Sequence, residues 1–161
     1  MNKTAKNKTS EQIQAEVQKI DNKILAEQKL IEGNGLYYQK NYQGAILKYT
    51  EAIKFNSNFA DAYYNRGTAY GELQNYQQAI SDFDKAIKLN PSLAVAYSNR
   101  GATYHDLKNY TQAIADFTQA IKLNPNYANA YYWRGRCYEE LVNYEQANRD
   151  FAKAKALGYE D

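Results

Sequence analysis

Residues 60–93 read ADAYYNRGTAYGELQNYQQAISDFDKAIKLNPSL, and residues 94–127 read AVAYSNRGATYHDLKNYTQAIADFTQAIKLNPNY. Laid over each other without a gap, they match Tyr63 with Tyr97, Gly67 with Gly101 and Tyr70 with Tyr104. Ala79 meets Ala113, Phe83 meets Phe117, Ala86 meets Ala120 and Pro91 meets Pro125. One more step forward gives Tyr131, Gly135, Tyr138, Ala147, Phe151 and Ala154. One step back gives Gly33, Tyr42, Ala45, Tyr49 and Ala52. A fixed period of this length means one supersecondary unit repeated along the chain. The frame holds four units: 26–59, 60–93, 94–127 and 128–161.

Within a unit the apolar spacing is helical. Tyr63, Gly67 and Tyr70 fall at i, i+4, i+7. After a break at Gln74–Asn75, the stripe resumes as Tyr76, Ala79, Ile80, Phe83, Ala86 and Ile87. Two helices and a tight turn make an antiparallel hairpin, with Gly67 and Ala79 small where the helices approach. Pro91 cannot extend the preceding helix and opens the next link. A single hairpin cannot bury its stripe, so the units must stack into an all-α solenoid.

These residues resemble the tetratricopeptide repeat family, whose aromatic, Gly, Tyr, Ala, Phe, Ala and Pro positions recur at the same places within 34 residues. The resemblance covers 26–161. YNRGTAY, SNRGATY and YWRGRCY are an Asn-Arg-Gly variant of the motif, and KLIEGNGLYY in the first unit departs most. It implies a right-handed superhelix whose first helices line a concave groove, and a role in holding a protein or peptide.

Carrying the family's groove positions onto this chain selects Glu27, Leu30, Asn34, Tyr37 and Tyr38 in the first unit. The second contributes Asp61, Tyr64, Thr68, Gly71 and Glu72. The third contributes Val95, Ser98, Ala102, His105 and Asp106, and the fourth Asn129, Tyr132, Arg136, Glu139 and Glu140. Asn65 and Asn99 lie beside them and are suited to hydrogen-bond an extended backbone. The chain has 17 tyrosines against five phenylalanines. Most occupy frame slots and are expected to pack, whereas Tyr37, Tyr38, Tyr64 and Tyr132 fall on groove slots, where a rigid amphipathic ring suits recognition.

Charge sharpens the expectation. The formal net charge is only +2, too little to point to nucleic acid. The groove slots nevertheless carry Glu27, Asp61, Glu72, Asp106, Glu139 and Glu140 against Arg136 alone. Outer slots carry Lys40, Lys54, Lys85, Lys88, Lys108, Lys122, Arg149 and Lys153. An acidic interior favours a basic or polar-aromatic segment. The family's carboxylate-binding subclass holds a terminal carboxylate with Lys, Asn and Arg on successive first helices. Asn34 and Asn65 match it, but Leu30, Val95 and Asn99 stand where cations are needed, so this reading is disfavoured.

Arg66, Arg100 and Arg134 each precede a repeat glycine, and Asp82, Asp116 and Asp150 follow sixteen residues later. The first unit holds Glu32 and Lys48 in the same slots, the signs exchanged together. Paired exchange implies an ion pair across each hairpin.

Ahead of the repeats, Thr9 and Gln12 form a capping-box pattern. Ile13, Val17, Ile20 and Ile24 then make an apolar stripe leading into the first unit. It is expected to pack on the first hairpin, with pairing to another chain as the alternative. Residues 1–25 are read as a tail and amphipathic helix, with 1–8 disordered. The last helix has no polar capping helix after it, which fits either a fragment of a longer protein or an apolar face that meets another molecule, and self-assembly through the terminal helices is a second functional reading. Catalysis is not expected. His105 has no nucleophile near it in the frame, Cys137 occupies a small packing slot, and no metal or cofactor motif occurs. One cysteine excludes an internal disulfide and fits a reducing, cytoplasmic setting. No apolar run follows the basic start, and none is long enough to span a membrane.

Overall fold

A computed structural model describes residues 9–160. Those residues form eight helices and no strand: α1 (Ser10–Tyr38), α2 (Tyr42–Phe55), α3 (Ala60–Glu72), α4 (Tyr76–Leu89), α5 (Ala94–Asp106), α6 (Tyr110–Leu123), α7 (Ala128–Glu140) and α8 (Tyr144–Ala156). Consecutive pairs pack as hairpins, and each first helix after α1 also packs on the second helix before it. The architecture is the four-hairpin α-solenoid that the repeat implied.

The turns explain the period. Each hairpin reverses through one residue with positive φ: Lys40, Gln74, Lys108 and Val142, at 58–60°. An asparagine follows each of them as N-cap, and the side chains of Asn41, Asn109 and Asn143 accept from backbone N–H groups of the next helix. Between hairpins, Asn56, Asn90 and Asn124 leave the helix in extended geometry, and each side chain accepts from the N–H two residues on.

Packing explains the glycines. A Cβ on Gly33 would lie 2.5 Å from the Tyr49 ring, and one on Gly135 would lie 2.7 Å from Phe151. Gly67 and Gly101 meet Phe83 and Phe117 in the same way. Ala62, Ala96 and Ala130 are fully buried where α3, α5 and α7 pack into the stack.

The charge pairs form as their exchange required. Arg66 donates from Nε and Nη2 to Asp82 at 2.7 and 2.8 Å, and Arg134 does the same to Asp150 at 2.7 Å each. Arg100 holds Asp116 at 2.8 and 2.6 Å. Lys48 and Glu32 meet at 2.9 Å with the signs reversed. The remaining Nη1 of each arginine reaches the preceding hairpin, at Thr50, Asp84 and Thr118 respectively. The pair therefore joins neighbouring repeats as well as the two helices of one hairpin.

One expectation about the amino-terminal end changes. The Thr9–Gln12 capping box is present, and α1 runs unbroken from Ser10 to Tyr38, the stripe leading directly into the first repeat helix. The stripe does not pack on the first hairpin: Ile13, Val17, Ile20 and Ile24 are each about half exposed. The reason is rotational. At 100° per residue these positions lie roughly opposite Ala26 and Gly33, the buried face of the same helix. The disorder expected for 1–8 concerns residues outside those described. At the other end, Gly158 takes φ +87° after α8, and the Tyr159 ring stacks on Tyr132 with centroids 4.2 Å apart. The last hairpin is thus partly covered by its own chain.

Candidate partner-binding groove

The first helices touch one another in succession, α1 with α3, α3 with α5 and α5 with α7. Among the described residues no second helix touches another second helix. The stack therefore curves with its first helices inside, and their free faces form the concave wall.

Two adjoining clefts open on that wall. The first, of about 340 Å³, is lined by Asn34, Tyr37, Tyr38, Tyr64, Asn65 and Thr68, with Tyr49. The second, of about 420 Å³, shares Thr68 and adds Glu72, Asn99 and Asp106, with Gly71, Gln74, Tyr76, Phe83, Ala102 and Thr103. Neither cleft is lined by a lysine or arginine.

A polar network ties the wall together. Tyr49 Oη and Asn65 Nδ2 both donate to Asn34 Oδ1 at 2.9 Å. Asn99 Nδ2 donates to Tyr64 Oη at 3.2 Å and to Thr68 Oγ1 at 3.3 Å. The two asparagines expected to hold a ligand backbone are thus already engaged with the preceding first helix, and an extended ligand must share or exchange these bonds. Tyr37 Oη donates to Glu72 at 3.1 Å. Burial first, then the Glu72 carboxylate, pushes the Tyr37 hydroxyl well above the usual phenol range. Burial pushes Tyr49 up to about 12 and raises Tyr64 as well. These phenols stay neutral at physiological pH, so the cleft presents hydroxyls rather than phenolates.

Tyr38 is 84% exposed, the most open large ring of the wall. The other expected site residues lie apart from both clefts. Asp61 is exposed at the start of α3. His105 is turned against Tyr110 and Trp133, with centroids 5.5 and 5.2 Å away. Tyr132 packs on Phe151 and Tyr159 and lines a separate cleft at the carboxyl end. Arg136 pairs with Glu139 at 3.3 Å. Among the acidic slots, Glu140 accepts from Tyr110 at 3.3 Å, while Asp106 faces the second cleft. Tyr49 occupies a frame slot expected only to pack, yet it lines the first cleft. The sequence carries the signal: units two to four hold Phe83, Phe117 and Phe151 there, and only the first retains a hydroxyl.

Comparison with known proteins recovers the frame of the two central units. The pattern described as Tetratricopeptide repeat matches 60–93 and 94–127, a second of that description matches 117–156, and one described as TPR repeat matches 33–74. The Arabidopsis OM64 TPR domain is 35% identical, with TM-score 0.73, over 74% of this chain and 98% of that one. The chain belongs to the tetratricopeptide repeat (TPR) family. The crystal structure of MamA superposes with TM-score 0.79 at 27% identity, over 89% of this chain and 83% of that one. The first TPR of Spaghetti (RPAP3), solved bound to the HSP90 peptide SRMEEVD, gives TM-score 0.73 at 29% identity, over 74% and 95%. Hsp70-Hsp90 organizing protein 3 of Arabidopsis thaliana is 41% identical over 49 residues. That is 30% of this chain, which spans only 9% of that protein. As a TPR protein, the chain is a protein–protein interaction module.

Three features bear on other readings. The Cys137 thiol is buried, and burial pushes it up to about 12, which leaves it a poor nucleophile. Among the described residues, no group of His, Cys, Asp and Glu is placed to hold a metal. No described helix is long and apolar enough to cross a membrane.

Proposed function

We propose that the concave groove holds an extended basic or polar-aromatic segment of another protein, and that the chain is a non-catalytic adaptor working without a cofactor. The observation that carries this is the lining of the two clefts. Tyr37, Tyr38 and Tyr64 offer ring faces to aliphatic and cationic side chains, Asn34, Asn65 and Asn99 offer amides, and Glu72 and Asp106 supply negative charge. An acidic peptide ending in a carboxylate, such as the SRMEEVD peptide bound to RPAP3, would bring its charges to two clefts lined by no lysine or arginine and lose their hydration uncompensated. Asp61 and Arg136 lie at the rim of this reading, and His105 and Tyr132 support the wall. Cytoplasmic conditions fit the free Cys137.

The test is selection of a random peptide library on the wild-type chain and on a Tyr64→Ala, Glu72→Lys variant, with SRMEEVD as the comparison peptide. Expected is enrichment of sequences rich in Lys, Arg and Tyr on wild type, lost on the variant, with no SRMEEVD binding. Enrichment of acidic carboxyl-terminal sequences, or peptides retained equally by the variant, refutes the reading. A basic segment held more weakly as salt rises, with no preference for nucleic acid, separates it from phosphate binding by the outer lysines.

A further inference from the structure

The exposed stripe of α1 is a second surface, on the stretch of the helix that precedes the groove residues. Ile13, Val17, Ile20 and Ile24 are 50%, 51%, 58% and 48% exposed. Their 4, 3, 4 spacing is that of a coiled-coil seam. The side of α1 toward its own hairpin is instead the one that carries Ala15, Gln18 and Asn22 past Phe55 and Ser57, with Lys23 at the edge between that side and the stripe.

Repeat-on-repeat stacking does not suit α1. Where α3, α5 and α7 bury Ala62, Ala96 and Ala130, the equivalent position of α1 is Gln28, exposed and preceded by Glu27. Docking α1 into the open end of another solenoid would push a long amide side chain into a slot sized for a methyl group, and draw a carboxylate in beside it. The Tyr159–Tyr132 stack also occupies part of that end. Beside the stripe, by contrast, the helix is built for a like helix. In a side-by-side pair, Glu16, Asp21 and Lys23 flank the seam. A parallel pair would bring Glu16 beside Asp21 of the second copy. An antiparallel pair centred between Val17 and Ile20 brings Glu16 beside Lys23 of the second copy, twice, and sets Ile13 against Ile24 and Val17 against Ile20. Glu27 ends the seam on the solenoid side.

We infer that the α1 extension joins two copies of this chain in an antiparallel helix pair. Four apolar side chains a copy is far below the roughly 20–30 residues a side of a standard interface, so the dimer is weak and concentration-dependent. Its consequence is bivalency: two grooves at opposite ends of one joint would hold a repetitive or surface-bound partner more tightly than either alone.

Sedimentation velocity of the full chain from about 5 µM to 1 mM, a span of affinities where weak dimers appear, tests this. Expected is a mass rising toward two copies for wild type and for Tyr64→Ala, and a single copy throughout for Ile20→Glu. Because Ile20 is exposed, the variant should keep the wild-type melting curve. Glu16→Lys should weaken the antiparallel pair and Glu16→Lys with Lys23→Glu should restore it; a parallel pair would instead be strengthened by Glu16→Lys. Wild type at one copy up to about 1 mM, dimer unchanged in Ile20→Glu, or Glu16→Lys tightening the dimer overturns the inference. The Tyr64→Ala arm keeps its failure distinguishable from that of the groove reading.

Discussion

The Arg100–Asp116 pair gives the sharpest test of how the repeats hold together. Both side chains are largely buried, 19% and 9% exposed, and they meet through two parallel N–H···O bonds, with Asp84 of the preceding hairpin as a third partner. Burial raises the Asp116 carboxyl above its ordinary 3.8, outweighing the Arg100 contact, and the nearby Asp84 charge pushes the same way. A carboxyl raised in the folded state contributes stability below its unfolded pKa that is lost as pH rises through the folded one. At neutral pH the ionised group has therefore already incurred its desolvation cost, and Arg100 is what makes that tolerable. Arg100→Met leaves a buried carboxylate without its main partner and should cost about 3 kcal/mol. In a chain of this length that is a fall of about 6–12 °C in melting temperature. Asp116→Leu should cost less, about 2 kcal/mol, because Arg100 keeps Asp84. The double variant should lie within about 1 kcal/mol of wild type, since a well-packed apolar pair replaces an ion pair at little cost. Urea unfolding followed by far-ultraviolet circular dichroism gives the three differences. Losses that add within about 0.5 kcal/mol would refute the reasoning. The exposed Arg149–Glu145 pair, 67% and 73% accessible, is the control and should show little coupling.

Other outcomes follow from the same geometry. Gly135→Ala puts a methyl 2.7 Å from the Phe151 ring and 3.3 Å from the Ala147 carbonyl, so it should destabilise by about 1–3 kcal/mol. Gly71→Ala meets nothing within 4 Å and should stabilise α3 by up to about 1 kcal/mol; a thermal melt of each variant decides, and equal signs would discredit the packing account. Val142 carries a β-branched side chain at φ +60°, so Val142→Gly should raise stability by about 1 kcal/mol, and a lower melting temperature would count against strain there. Cys137 should resist iodoacetamide at about pH 8 in the folded chain and react on unfolding in urea; rapid native labelling would show the thiol is not held up by burial.

The sequence determined the repeat, its frame and the pairing of charges. These are local: a 34-residue step fixes each turn and each glycine against its ring, and the joint exchange of Glu32 and Lys48 records a contact that neither residue shows alone. It also placed Asn34, Tyr37, Tyr38, Tyr64, Asn65, Thr68, Glu72, Asn99 and Asp106 on slots that the folded chain brings to two adjoining clefts. Only the tertiary structure decided what those groups have left to offer. Asn65 and Asn99 spend their donors on the preceding first helix, Tyr37 on Glu72, and His105 turns into an aromatic cluster, because neighbouring repeats approach closely enough for their side chains to satisfy one another. The ends were the least legible for the same reason. A stripe of Ile and Val says that a face wants a partner, but whether the chain itself supplies it depends on the rotation of α1, set by Ala26 and Gly33 many residues away.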